Sequence, residues 1–290
     1  MKIYLAGGIT GNLNKLWKEM SKIYLAGTLS RPFVIEEAMK LYLADLTPFG
    51  RNTYSNIIEN NKPYILESYY YIKDQNDWII KMRPFFKDFL LDSGAFSFFG
   101  GKSKNINWIE YTKNYAEFIK KHDINNFIEL DIEKITNLNL VEDLRKLLQD
   151  KTGKNPIPVW RPYRKIDYWY NMVENFNYIA ISASGQYDSA WTREKNAPIV
   201  LNTLLNIAKK KNVKVHGLGY TDLKNLPKIP FYSVDSTAWL YGNRGGFLYH
   251  FNGKSIDKIK PKGMRLKGRE AAIHNFSEWL KYSKYAENNL

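Results

Sequence analysis

The chain has 290 residues, 44% hydrophobic and 25% charged, a globular composition with enough length for one large core or two small ones, which excludes a disordered tail protein and a mini-protein. Lys and Arg number 43 against 29 Asp and Glu, a net charge of +14; this favours a polyanionic partner, nucleic acid first, although a Lys-rich surface coded by an AT-rich genome gives the same count. Cysteine is absent, so disulfides, thiolate nucleophiles and Cys-ligated zinc are excluded, and His122, His216, His250 and His274 lack the spacing of a His-built metal centre.

In chain order, the segment KIYLAG occurs at Lys2 to Gly7 and again at Lys22 to Gly27. Each copy reads as a short buried strand stopping at a Gly turn, with a helical fragment at Leu16 to Met20 between them. The N-terminus is too short in apolar residues for a signal peptide, and no run of about 18 apolar residues follows. The expectation is a cytoplasmic protein with no membrane partner.

Apolar runs bounded by turn residues then recur at Tyr64 to Tyr69, Phe89 to Leu91, Phe127 to Ile132, Ile157 to Trp160, Tyr178 to Ile181, Val213 to Val215 and Phe231 to Val234. Helical spacing fills several of the intervals, at Trp108 to Lys120, Val141 to Leu148 and Ile199 to Lys211, the last ending in a Lys cluster suited to a helix C-terminus. Near-continuous apolar strands alternating with amphipathic helices predict a parallel sheet covered by helices. About eight such units in roughly 250 residues is the size of a (β/α)8 TIM-type barrel. A doubly wound open sheet has the same periodicity and stays open as the alternative. The barrel is expected over residues 1–255. Residues 256–290 then form a basic segment and a terminal helix, Ala271 to Tyr285, with Ile273, Phe276, Trp279 and Leu280 on its apolar face.

Carboxylates mark the strand ends. Asp92 closes FLLD, Asp131 closes FIELD, and Asp235 closes FYSVD. In a parallel barrel all strand C-termini open on one face, so three such residues converge on one pocket. Each alone has a bland reading as a helix cap or turn residue. Other strand ends add small or polar groups: Ser182, Ala183, Ser184, Gly185 and Gln186 after YIAI, and His216, Gly217 and Gly219 in VHGLG, where GLG also reads as an ordinary βα turn. Aromatic residues follow two of the aspartates: Phe96, Phe98 and Phe99 after Asp92, and Trp239 and Tyr241 after Asp235. Rings of this kind stack on a planar base, although most aromatics in a barrel are core. Asn243, Arg244, Gly245 and Gly246 lie in the Asp235 loop, where an Arg holds a phosphate or ribose. No GxGxxG or GxxxxGK[ST] motif follows a strand.

The segment LLDSGAFSFF, with HGLGYT followed by SVDSTAW and an Arg-Gly loop, resembles the tRNA-guanine transglycosylase superfamily. The pattern runs from about Tyr64 to Gly246 and is most similar to shorter, phage-borne relatives that modify guanine in DNA. The resemblance implies that Asp235 is the nucleophile at C1′ and Asp92 the general acid and base on the purine. It further implies that Asp131 binds the base edge, that Ser182 and Ala183 present backbone amides to the heterocycle, and that Arg161 stands where the family places a base-reading Gln. Ser93, Gly94, Phe96, His216, Gly217, Trp239 and Arg244 complete the expected substrate-binding set. The implied partners are DNA in preference to tRNA and a 7-deazaguanine base such as preQ0, with no cofactor and no metal. The family's tRNA-acting members carry a Cys3His zinc site that this chain cannot build, and there is no room for an archaeal-type RNA-binding domain.

The chemistry is consistent on its own terms. Exchanging bases at one anomeric carbon needs one carboxylate to capture an oxocarbenium-like centre and a second carboxyl to carry the purine proton. The alternatives are a nucleoside deoxyribosyltransferase-like or N-glycosidase activity on small nucleosides, suggested by the KIYLAG starts, and a non-catalytic nucleic-acid-binding barrel.

Overall fold

The computed structural model describes residues 38–46, 53–74, 77–98, 106–183, 189–192, 194–220, 222–260 and 268–290. Both KIYLAG copies, and the helical fragment between them, lie outside the described residues. Among the described residues, eight strands form one sheet: β1 (Lys40–Ala44), β2 (Tyr64–Ser68), β3 (Asp88–Asp92), β4 (Asn126–Phe127), β5 (Val159–Trp160), β6 (Tyr178–Ser182), β7 (Lys214–Leu218) and β8 (Ser233–Ser236). Their order is β4-β3-β2-β1-β8-β7-β6-β5. Neighbours with assigned register are parallel throughout. A parallel bridge joins Ile128, just past β4, to Ile157, just before β5. Sequential order with β1 beside β8 is the arrangement of a TIM-type α/β barrel. A doubly wound sheet would instead reverse direction at an internal crevice.

Among the described residues, the helices of ten residues or more are α1 (Trp108–Lys121), α2 (Leu138–Thr152), α3 (Ile166–Asn175), α4 (Ala197–Lys209) and α5 (Gly268–Asn289). Asn107 and Asn137 start α1 and α2 by accepting from the backbone N–H of Glu110 (3.1 Å) and Leu140 (2.9 Å), which satisfies donors a helix N-terminus leaves open. Gly153, left-handed at φ 69°, ends α2 because that conformation costs glycine nothing. A two-stranded antiparallel hairpin, β9 (Leu248–Phe251) and β10 (Ile256–Ile259), follows β8. The domain boundary expected at residue 255 thus falls in the turn of this hairpin.

The chain divides into two compact units, one of Lys40–Pro158 with Asp235–Asn289, the other centred on Val159–Val234. In the first, the core is built from Leu41, Leu43, Ile65, Leu90 and Phe127 on the strands and Ala272, Phe276 and Trp279 on α5, all buried. Ser283 on α5 donates to the Leu41 carbonyl (2.9 Å), fixing the helix against β1. Asp88 accepts from Lys40 Nζ (3.0 Å), Tyr42 Oη (2.9 Å) and Asn126 Nδ2 (3.1 Å), tying the starts of β1, β3 and β4 together. Arg145 on α2 forms an ion pair with Glu129, whose side chain is fully buried. Removing one partner of such a pair strands a buried charge, so Arg145→Met is expected to cost about 3 to 5 kcal/mol, measured as a lower urea midpoint. In the second unit, Trp160 packs edge-on against Trp169 of α3 and Trp191, and Val200, Leu201, Leu204 and Ala208 form the buried face of α4.

Two expectations change. The run Phe127 to Ile132 is a strand only to Phe127, with Ile128 in the single bridge. Ile132 N–H turns back onto the Leu130 carbonyl (2.9 Å), a tight turn that withdraws the backbone from the ladder. The strand β1, KLYLA, escaped the strand reading, although it echoes the KIYLAG segments and carries four consecutive buried residues, Leu41, Tyr42, Leu43 and Ala44.

Candidate active site

Asp92, Asp131 and Asp235 all belong to the first unit. Asp92 ends β3 and keeps partial solvent exposure, whereas Asp131 and Asp235 are only 5% and 6% exposed. Burial pushes the Asp92 carboxyl up to about 7 from an ordinary 3.8. The Gly94 and Ser93 N–H groups oppose the shift, and the charges of Asp235 and Asp131 add to it. The partial exposure and the strong desolvation describe one carboxyl seated among dense protein with one side open. Because both other aspartates act on Asp92, the three groups share one neighbourhood despite their separation in sequence. A carboxyl held near neutrality beside two others is suited to carry a proton both ways at neutral pH.

The turn after β3 explains how Asp92 is aimed. Gly94 N–H donates to Asp92 Oδ2 (2.8 Å). Gly94 has φ +78°, and a Cβ there would sit 2.4 Å from Tyr70 Cβ and 2.9 Å from Tyr70 N and Ser68 Oγ. Only glycine fits both the conformation and the close approach. Gly94→Ala is expected to cost about 2 to 5 kcal/mol and to move Asp92, measured as a lower Tm together with a shifted Asp92 titration. After β8, Ser236 Oγ accepts from Ala238 N–H (3.0 Å), a side-chain bond that helps shape the turn.

Two tyrosines that sequence reasoning passed over as helix face hold this end of the sheet. Tyr111 Oη donates to the Ser93 carbonyl (2.7 Å), and Tyr115 Oη bonds the carbonyls of Leu91 (3.2 Å) and Ile128 (3.1 Å). Their spacing in WIEYTKNYAEFIK, four residues apart, places both on one face of α1 and was the available signal. Glu67 was also missed. It is fully buried on β2 and accepts from Leu46 N–H (2.8 Å). Burial, then the Asp45 charge, holds its carboxyl well above the usual range, and its bond to Leu46 fastens the turn that leaves β1. The sequence YILE repeats the pattern of FLLD.

The remaining expected site residues of this unit differ in setting. Ser93 is buried beside Asp92. Phe96 stands 56% exposed on a short 3-10 turn, while Phe98 packs edge-on against Tyr70, Trp108 and Tyr111. Trp239 is fully buried, donates Nε1–H to the Ala44 carbonyl (2.8 Å), and packs against Tyr54 and Phe276; it is a core residue with no ring face open for a base. Arg244 lies in a short helix, Tyr241–Gly245, and its side chain is outside the described residues, as is Phe99.

In the second unit, Arg161 is buried just past β5. Ser182 ends β6 with its carbonyl accepting from Trp191 Nε1–H (3.2 Å), and Ala183 N–H bonds the Leu218 carbonyl (3.0 Å). Residues 184–186 lie outside the described residues. His216 is not at a strand end, since β7 continues to Leu218. It is fully buried, and its Nδ1 shares a 2.7 Å hydrogen bond with Ser233 Oγ, which is also 2.7 Å from Tyr178 Oη. A Cβ at Gly217 would meet the Phe231 ring at 3.0 Å, so this glycine admits a packed ring.

Among the described residues no helix is long and apolar enough to cross a membrane. No protein-family model matches the chain, and no curated protein matches it in sequence. Among solved structures, it is similar to a putative fructose-1,6-biphosphate aldolase from Coccidioides immitis, at 10% identity over 87% of this chain and 90% of that one, with a TM-score of 0.52. It is also similar to the carboxyl transferase domain of Rhizobium etli pyruvate carboxylase, at 13% identity over 99% of this chain and 53% of that one, with a TM-score of 0.46. At 10% identity the likeness to the aldolase is one of fold, and the fold it supports is the TIM-type α/β barrel.

Proposed function

We propose that this chain is a base-exchange transglycosylase that replaces guanine in a nucleic acid, DNA in preference to tRNA, with a 7-deazaguanine base, acting in the cytoplasm of a bacterial or phage-infected cell. The observation that carries the reading is the Asp92 carboxyl, raised to about 7 in the company of Asp235 and Asp131. In the first half-reaction Asp235 attacks C1′ of the target nucleotide, the C1′–N9 bond breaks, and guanine leaves with a proton supplied by Asp92. In the second, Asp92 takes the N9 proton of the incoming base, whose N9 attacks C1′ and expels the Asp235 carboxylate. Two displacements retain the anomeric configuration. Asp131 holds the base edge, Phe96 offers an exposed ring to the heterocycle, and the surplus of positive charge holds the backbone of a strand whose target base has left the stack.

The test is incubation with DNA and with tRNA, each carrying labelled guanine, together with a 7-deazaguanine such as preQ0. Release from DNA is expected. Release from tRNA alone reassigns the polymer, and turnover of free nucleosides without polynucleotide, or no release from any of them, rejects the proposal.

A further inference from the structure

We propose that the β9–β10 hairpin of the first unit is a clamp for the sugar–phosphate backbone of DNA, separate from the carboxyls that do the chemistry. The inference rests on the base-exchange reading only in its choice of DNA as the polyanion.

The two strands of the hairpin differ sharply in environment. On β9, Tyr249 N–H donates to Asn275 Oδ1 (2.8 Å), Phe251 N–H donates to Glu278 Oε2 (2.7 Å), and His274 Nε2 lies 2.8 Å from the Tyr249 carbonyl. Tyr249 Oη donates to the Ala238 carbonyl (2.7 Å), three residues past Asp235. The root of the hairpin is therefore fastened to α5 and to the segment that follows the proposed nucleophile. The outer strand β10 is exposed at Asp257, Lys258 and Ile259, the last at 48%, and Lys260 just after it is exposed as well.

A two-stranded ribbon is marginal by itself, and this one is fixed by side chains of α5 while its outer strand adds almost nothing to the core. Along the hairpin turn and its outer edge, exposed lysines outnumber the one acid, Asp257. Lys254 is exposed at the turn, Lys258 on β10 and Lys260 just after it, and Arg269 is exposed at the start of α5. Lys258 Nζ lies 5.0 Å from the Phe247 ring centre, a cation–π contact that leaves its charge in place. A ribbon fastened at its root and carrying exposed cations along its outer edge matches a phosphate backbone. Lysines on an edge strand also deter strand-to-strand association, but glutamates serve that end equally, so reversing the charge separates the two roles.

The experiment compares Lys254→Glu/Lys258→Glu/Lys260→Glu with a control carrying the same charge change at exposed lysines elsewhere, Lys113→Glu/Lys224→Glu/Lys228→Glu. Binding to a fluorescent 20-base-pair duplex is followed by anisotropy across a salt series, with folding verified by circular dichroism. Binding needs no turnover, so the result is readable whether or not base exchange occurs. The hairpin variant is expected to bind at least about tenfold more weakly than wild type and to lower the slope of log affinity against log salt by about 2 to 3, the loss for three phosphate contacts. The control is expected to lose much less. Unchanged binding by the hairpin variant, or equal losses in both variants, overturns the proposal. Loss of binding to phosphatidylserine vesicles with duplex binding intact also overturns it.

Discussion

Asp235→Asn is expected to reduce base exchange at least about a thousandfold, because an amide cannot form the glycosyl ester on which two-step exchange depends. The substitution is nearly isosteric at a site only 6% exposed, so the fold is retained and Tm stays close to that of wild type or rises. Asparagine also removes one of the two charges that raise Asp92. The Asp92 titration in the variant is therefore expected below about 7, measured by carboxyl-resolved NMR. A variant with full exchange activity rejects Asp235 as nucleophile, and an unmoved Asp92 titration rejects the electrostatic coupling between them.

Asp92→Asn is expected to have two large and opposite effects. Exchange falls at least about a hundredfold, since the purine proton loses its carrier. Stability rises at alkaline pH. A carboxyl whose folded value is raised contributes stability that is full below its unfolded value and is lost as pH climbs through the folded one. For Asp92 that window runs from about 4 to about 7. Above it the wild-type protein holds an ionised carboxylate against burial and two like charges, and asparagine relieves that cost. The full shift corresponds to about 4 kcal/mol, and the partial exposure of the residue reduces it to roughly half. Urea midpoints at pH 8 are expected to favour the variant and to converge with wild type below pH 4. A variant less stable than wild type at pH 8 contradicts the assigned environment. Wild-type activity follows the same group: proton donation to guanine weakens above about pH 7 and proton removal from the incoming base weakens below it, so exchange is expected to peak near neutrality.

Much of this architecture was legible because strand ends and helix faces leave local signatures. Apolar runs stopping at an acid gave β3 and β8 with their aspartates, and helical spacing gave α1, α2, α4 and α5 to within a few residues. What escaped depends on partners distant in sequence. Tyr111 and Tyr115 read as an apolar face, and only the fold brings their hydroxyls to carbonyls of β3 and of the residue after β4. Trp239 follows a site aspartate in sequence, yet packing against Tyr54 and Phe276 turns it inward. His216 was read as a strand-end residue because β7 was taken to stop at Val215; the strand runs three residues further, to Leu218, and His216 is buried within it against Ser233. Glu67 sits within the apolar run Tyr64 to Tyr69, and its raised carboxyl comes chiefly from complete burial, which a sequence does not display.

The central claim is a covalent bond between Asp235 and the sugar of the modified nucleotide. Protein mixed with a guanine-containing DNA oligonucleotide, with no incoming base, and quenched in acid is analysed by intact-mass and peptide-mapping mass spectrometry. The expected result is an adduct with the mass of the oligonucleotide less guanine, located on the peptide containing Asp235 and absent from Asp235→Asn. Guanine release without any adduct, or an adduct on another residue that persists in Asp235→Asn, contradicts the account.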